Sequence, residues 1–349
     1  MSNIYHVLSI AGSDSCGGAG IQADLKTAMG LSCHCCTVIV VVTAQNTKEI
    51  KKIIELEENF IIDQLDSVFE DIQINVVKLG VLYSRKIANL ICTYLKNINK
   101  KSEKKLSIVF DPVFVASVGS SLIQNVQDIK YMLKIICPIS LIITPNFSEC
   151  KTILKTLDIS TDTDIINTSI VNLCKTITEK LNITACLLKN IDINQLNGHT
   201  TPINIHEQTK KHYAIDYLCL RKCKTTLKED INKQTLIKND PLNNSNSNLE
   251  ENTFFLYDVY ELKTIRLPQT DIHGTGCTIS TAISCFLSKK YDILQSCIES
   301  KKYIYNCIKH AYELGSNSFG LNHLTASQEQ NKVNKKDDIQ VTLLASDLV

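Results

Sequence analysis

Tryptophan is absent from this chain of 349 residues, methionine occurs three times and proline six. Aromatic residues make up only 6%, so a core has to be filled by aliphatic side chains and small thiols rather than by rings. Charge of one sign is not in excess: 37 Lys and Arg against 36 Asp and Glu leave a net charge of +1. That balance excludes a global basic field of the kind that draws nucleic acid or an anionic membrane. A run of about 18 apolar residues is also missing, and a membrane-spanning helix is not expected. The start, MSNIYHVLSIAGSD, has no basic stretch followed by a long apolar one, so a secretory leader is not expected either.

Fifteen cysteines are present, but they are scattered and form no repeating framework. Cys137, Cys186 and Cys219 lie in apolar stretches, where a free thiol behaves as a small hydrophobe. Cys33-His34-Cys35-Cys36 places its potential ligands side by side instead of in C-x₂-C pairs, and is read as the approach to a strand rather than as a metal site. Free thiols imply a reducing compartment, and the expected location is the cytoplasm.

An apolar fraction of 44% and a charged fraction of 21% describe an ordinary globular chain. Short apolar runs alternate with amphipathic stretches. YHVLSI (5–10), TVIVVV (37–42), NVVKL (75–79), SIVF (107–110), SLII (140–143) and TACLL (184–188) read as strands. Residues 19–30, 58–72, 84–98, 120–136, a stretch beginning near Phe147, 165–181, the stretch that the 271–277 signature opens through about 288, and 292–314 read as helices, 58–72 on apolar residues at Ile61, Leu65, Val68, Phe69 and Ile72. Strand and helix units of this length predict an α/β fold, a mostly parallel central sheet with helices on both faces. Strands are also expected at 254–258 and 262–267. Residues 221–252 are polar and end in an Asn/Ser tract, which reads as a surface insertion; 325–349 read as a polar tail.

Two small-residue loops are candidates for the chemistry, although each taken alone also fits a plainer reading, 271–280 as a glycine-rich helix start without a ligand and 11–27 as a tight structural turn. In DIHGTGCTIS (271–280) a loop opens directly into a helix. The backbone N–H groups of Gly274, Thr275, Gly276 and Cys277 can converge there on one anion, with the helix dipole adding positive potential. Such a cradle stabilises the charge on a phosphoryl group in transfer. The other loop, AGSDSCGGAGIQADLKT (11–27), follows a strand and precedes a helix. Its spacing is neither that of a dinucleotide fingerprint nor that of a Walker A loop, yet it lets a ligand approach the backbone closely. Both loops close the C-terminal ends of strands, where ligands bind in open α/β sheets.

Six segments in order resemble the hydroxymethylpyrimidine and phosphomethylpyrimidine kinases: IAGSDSCGGAGIQADLKT (10–27), TAQNT (43–47), QLDSVFEDIQINVVKLGVL (64–82), VFDPV (109–113), ITPNFSE (143–149) and HGTGCT (273–278). The resemblance spans about residues 5–320. It implies one ribokinase-like domain over 1–324, ATP and Mg²⁺ as cofactors, a small pyrimidine as substrate and a homodimer. A pyrimidine site is implied at Gly12, Asp24, Gln45, Val81, Val113 and Cys277, with Asp24 and Gln45 on the aminopyrimidine edge. Cys277 stands where sugar kinases of the superfamily carry Asp, and a thiol at a helix start can have a lowered pKa and act as general base; the alternative is that it packs and positions substrate. Asn146 and Glu149 are implied to orient Mg²⁺ and the nucleotide phosphates through water, although the same pair also fits a helix capping box. Asp111 joins Glu149 at the metal, while Lys189 and Asp271 are implied beside the phosphates.

The chain departs from the family at Lys189-Asn190-Ile191-Asp192, where Lys-Gly-Gly-His is usual, and at Ala116-Ser117-Val118-Gly119, which lacks a lysine next to the substrate phosphate. It also carries Leu321 where the closing Gly-Pro-x-His element has Pro. Activity as a pyridoxal kinase, or a silent ligand-binding module on the same fold, are the alternatives.

Overall fold

The computed structural model describes residues 4–115, 122–123, 125–159, 169–191, 213–222, 255–268, 272–315, 318–329 and 339–347. Its strands are β1 (Tyr5–Asp14), β2 (Cys33–Gln45), β3 (Ile50–Glu55), β4 (Val76–Leu79), β5 (Ser107–Phe110), β6 (Ile142–Ile143), β7 (Ala185–Leu188), β8 (Tyr213–Arg221), β9 (Tyr257–Ile265), β10 (Tyr312–Glu313), β11 (Phe319–Gly320) and β12 (Gln340–Ser346). Ten of them form one sheet in the order β12-β9-β8-β7-β6-β5-β4-β1-β2-β3. The pairs from β7 through β1 to β2 are parallel, and both ends are finished by antiparallel strands. β4, β5 and β7 are apolar runs because both faces of the central sheet are covered.

One face carries α1 (Gly20–Gly30), α7 (Thr275–Ser288), α8 (Ile293–Lys309) and α9 (His323–Glu329); Ala28, Ile279, Cys297 and Ala326 pack there on Val7, Val76 and Val109. The other carries α2 (Glu58–Asp71), α3 (Arg85–Lys101), α4 (Val126–Ile136), α5 (Phe147–Thr156) and α6 (Ile170–Lys180), which bury Ile61, Ile91, Leu133, Ile153 and Leu173 against Leu8, Val77 and Ile108. The alternation Val76 to one layer and Val77 to the other follows the two-residue period of a strand. It sends Lys78 to the same face as Val76, towards α1 and α7.

The chain runs from β1 outward to β2 and β3, then crosses to the other side of β1 to make β4. At such a reversal the loops leaving neighbouring strands diverge and leave a crevice at their C-terminal ends. Gly12, Gly80 and Asp111 all lie there.

Several expectations change. β3, β8, β10 and β11 are additional strands, the two strands expected at 254–258 and 262–267 are one continuous β9, and β2 begins at Cys33, so the Cys-His-Cys-Cys run lies inside a strand. Neighbouring residues of that run face opposite sides of the sheet, which separates potential ligands. Among the described residues no cluster of three metal-ligating side chains occurs. The tail expected from 325 supplies the end of α9 and then β12, which pairs along β9 and forms one edge of the sheet. Residues 116–121 and most of the expected insertion, 223–252, lie outside the described residues, as does Asp271.

Candidate active site

The two glycine loops meet. Gly274 precedes the first turn of α7 with φ +85°, and a Cβ there would stand 1.7 Å from the Gly18 carbonyl oxygen, so this junction admits no side chain. The ring of His273 packs on Gly18, and His273 Nε2 lies 3.0 Å from Asp14 Oδ2. An ionised carboxylate only accepts, so the imidazole donates in this pair. Asp14 also accepts from the backbone N–H of Cys16, Gly18 and Ala19. Burial pushes its pKa up, but the bond from His273 and those backbone donors outweigh burial and leave it below its ordinary value. Asp14 thus folds the first loop around itself and ties it to the second.

The expected pyrimidine residues fall on adjacent strand ends. Gly12 ends the regular part of β1 so close to its neighbours that a Cβ would meet Val41 at 2.8 Å and Val81 at 2.9 Å. Gln45 ends β2; Ser15 Oγ accepts from its backbone N–H and donates to its carbonyl, and its Nε2 lies 3.4 Å from His273 Nε2. Val81 follows β4 and Val113 follows β5, both half-buried. Asp24 does not join them. It is fully buried, and its carboxylate is saturated: Lys78 Nζ donates to both oxygens at 3.1 and 2.9 Å, Ser9 Oγ to one at 2.5 Å and Thr281 Oγ1 to the other at 2.6 Å. No lone pair is left for a pyrimidine edge, so the expected ligand contact is corrected to a foundation joining β1, α1, β4 and α7.

Lys78 is the partner that sequence reasoning missed. Burial alone would lower its pKa, yet Asp24 and Asp111 raise it, and the ammonium stays charged. The signal was available as a lone lysine inside the apolar strand VVKL, since lysine is almost never fully buried unless paired.

On the other side, α7 begins at the ends of β5 and β7. A Cβ on Gly276 would lie 3.4 Å from Lys189 Nζ and 3.7 Å from Asp111 Oδ2. Lys189 Nζ donates to Asp111 Oδ1 at 3.0 Å, and Thr144 Oγ1 donates to the same oxygen. Burial raises the Asp111 pKa, but Lys189 and Lys78 overcome it and hold the carboxyl below its ordinary value. Asp111 Oδ2 is buried and accepts no hydrogen bond among the described residues. Asn146 and Glu149 form a capping box on α5: Asn146 Oδ1 accepts from the Glu149 N–H and Glu149 Oε2 from the Asn146 N–H. Burial, with Asp111 nearby, pushes Glu149 up to about 8.

Cys277 departs from its expected chemistry. Burial outweighs the opposing pull of Lys78 and of the Gly20 N–H and pushes the thiol up to about 11. Cys277 is half-buried by accessible surface, and its surroundings oppose the lowered pKa expected at the helix start.

Beside Gly276 opens a cavity of about 470 Å³, with Ile265, Ile272, Ile279, Ile304 and Ile308 among its walls and Asn146, Lys189, Asn190, Asp216, Arg266 and Lys301 among its polar lining. An apolar slot ending at an anion cradle suits a flat ring that carries phosphates.

The architecture is that of the ribokinase-like kinases. A pyridoxal kinase from Staphylococcus aureus solved with pyridoxal superposes with a TM-score of 0.67 at 19% identity, over 98% of this chain and 100% of that one. A phosphomethylpyrimidine kinase structure from Clostridium difficile is 28% identical with a TM-score of 0.57, covering 87% of this chain and 98% of its own. The chain belongs to the phosphomethylpyrimidine kinase family, whose model matches residues 14–219 and 216–322. A hydroxymethylpyrimidine/phosphomethylpyrimidine kinase of Haemophilus influenzae is 28% identical over 331 residues, 94% of this chain and all of that one. The chain spans about half the length of three other curated relatives, two of them bifunctional thiamine biosynthesis proteins.

Proposed function

We propose that this protein transfers the γ-phosphoryl group of ATP to the hydroxymethyl group of 4-amino-5-hydroxymethyl-2-methylpyrimidine and to the phosphate of its monophosphate. One observation carries the reading: the Asp111–Lys189 pair, with a free carboxylate oxygen, adjoins the N-terminus of α7 at Gly276. Pyrimidine on the Gly12, Gln45, Val81 side and nucleotide in the cavity then meet at the start of α7. Asn146, Glu149 and Lys189 face the nucleotide phosphates in this reading, and Asp271 is proposed to join them.

Mg²⁺ fits this site on its donor set. Asp111 Oδ2 is an ionised, unpartnered oxygen, Glu149 is a second carboxyl near it, and hard cations take oxygen ligands. When bound, Mg²⁺ neutralises charge on the phosphates. The chain itself binds and orients. Backbone N–H groups at 275–277 face the growing negative charge in this reading, Lys189, paired with Asp111, offers its remaining N–H donors to a phosphate oxygen, and Gln45 offers an amide to the aminopyrimidine edge. Cys277, protonated, positions the substrate hydroxyl; phosphoryl transfer depends mostly on alignment and charge stabilisation.

Gln45, half-buried at the end of β2, favours the aminopyrimidine over pyridoxal in this reading, because its amide can pair with the aminopyrimidine edge. The protein is placed in the cytoplasm, where its buried free thiols, Cys137 and Cys186 among them, suit a reducing compartment. A homodimer is proposed as well: Val42 and Ile54, paired across β2 and β3, expose 41% and 52% of their surfaces.

The test is a coupled assay with ATP, Mg²⁺ and each of hydroxymethylpyrimidine, its monophosphate and pyridoxal. The two pyrimidines are expected to turn over. A preference for pyridoxal overturns the substrate, and tight pyrimidine binding without any ADP release overturns the enzyme.

A further inference from the structure

Three cations are among the described residues lining the cavity, and two are already spent. Lys189 is neutralised by Asp111 and Lys301 by Asp216, at 3.0 and 2.6 Å. Among the described residues no carboxylate pairs with the third, Arg266. Its guanidinium is instead held by an amide, Nη2 donating to Asn190 Oδ1 at 2.6 Å. Asn190 stands where the family usually has glycine. It adopts φ +49°, the left-handed region that Asn tolerates better than other side chains, so the turn after Lys189 keeps a glycine-like backbone. The backbone N–H of Asn190 donates to Asp216 Oδ1 at 2.7 Å, and Lys301 holds the other oxygen of Asp216. A chain of contacts from the buried Lys301–Asp216 pair through Asn190 therefore fixes Arg266 at the rim.

We propose that Arg266 is a binding residue for the polyphosphate of the nucleotide and that Asn190 is its positioning residue. The inference rests on the kinase reading above. Self-paired lysines present little net potential to an incoming anion, so the uncompensated guanidinium dominates the rim. Its planar fork has further N–H donors besides the one taken by Asn190, and matches phosphate oxygens. Asn190 does more than replace glycine here: a bare glycine makes the turn and leaves Arg266 unheld.

The experiment measures, by calorimetry without pyrimidine, the affinity of the intact protein for the non-hydrolysable analogue AMP-PCP with Mg²⁺ and for adenosine, which lacks phosphates. Arg266→Gln is expected to weaken AMP-PCP by about tenfold or more, the scale of a lost charge-assisted pair, while adenosine binding and the KM for pyrimidine stay as they are. Arg266→Lys recovers part of the loss, and Asn190→Gly costs a few-fold with the turn intact. Equal AMP-PCP affinity in Arg266→Gln and wild type overturns the inference. So does an equal loss of AMP-PCP and adenosine, which makes the residue part of the ring pocket. Failure of the wild type to bind AMP-PCP at all overturns the kinase reading instead.

Discussion

Two buried lysine–aspartate pairs, one joining β4 to α1 and the other joining the ends of β5 and β7, differ in one respect. Under the pyrimidine side, Lys78 and Asp24 are sealed, and Ser9 and Thr281 fill the remaining lone pairs of the carboxylate. Under the nucleotide side, Lys189 and Asp111 are nearly as buried, yet Asp111 Oδ2 is left without a donor. Native proteins satisfy almost all buried polar atoms, so an orphan oxygen beside an open cavity marks a place completed by something that arrives. A saturated carboxylate holds the fold together; the open oxygen of Asp111 leaves room for the metal proposed above.

The largest expected effects test that contrast directly. Lys78→Met leaves the Asp24 carboxylate buried and uncompensated, which costs about 3–5 kcal/mol of stability. The double variant Asp24→Asn, Lys78→Met recovers most of that loss, as read by urea unfolding. Asp111→Asn keeps an oxygen for Lys189 and removes the charge beside Gly276, and kcat is expected to fall by about 10²–10³, the scale of one electrostatic group in a preorganised site. If Asp111→Asn turns over normally and Lys78→Met unfolds no earlier than wild type, the two pairs are not different in kind.

Cys277 lies between the pairs and feels both Lys78 and Asp111. With its thiol held up at about 11, a general base there would make kcat climb steadily with pH. The expected profile is flat between about pH 7 and 9, and Cys277→Ala lowers kcat by less than the 10²–10⁴ typical of a lost base. A tenfold rise in wild-type kcat per pH unit over that range, abolished in Cys277→Ala, returns the base role to the thiol.

What was legible in the sequence was what is local. The parallel strands are apolar runs, and the helix starts carry their caps, so β1, β4, β5, β7 and α5 stand close to where the pattern puts them. The helix opening at HGTGC was legible because the small-residue run gives way directly to a helical pattern, and α7 begins there. The strands that were missed depend on partners far away: β12 follows a polar tract and becomes a strand only by pairing along β9, and β3 reads IKKIIE, half of it charged. The site erred in the same way. Asp24 looks like a ligand residue until Lys78, 54 positions later, is seen to occupy it, and the thiol of Cys277 looks acidic until its burial is known. Helix-start chemistry is written locally, whereas desolvation is a property of the finished fold.

A third buried ionisable group sharpens the comparison, because it has no counterion among the described residues. His323 opens α9, with Nδ1 at 3.2 Å from the Tyr303 hydroxyl, and burial, with Lys26 adding like charge, pushes its pKa down to about 4 from an ordinary 6.5. The folded protein therefore holds the imidazole neutral at pH values where the unfolded chain already protonates it. The unfolded state binds more protons, so stability rises with pH across this window; the contribution is complete above about 6.5 and is lost as pH falls towards about 4. Between pH 7 and 5 the loss amounts to about 2 kcal/mol. Carboxylates titrate in the same range, so the quantity to measure is the difference between wild type and His323→Gln in urea midpoint at each pH. His323→Gln keeps a neutral polar group beside Tyr303 and cannot take up the proton, and its stability should fall less steeply than that of wild type on acidification. Parallel curves would mean that His323 finds an anion in the folded protein, and that a buried charge-bearing group here is paired after all, as Lys78 and Lys189 are.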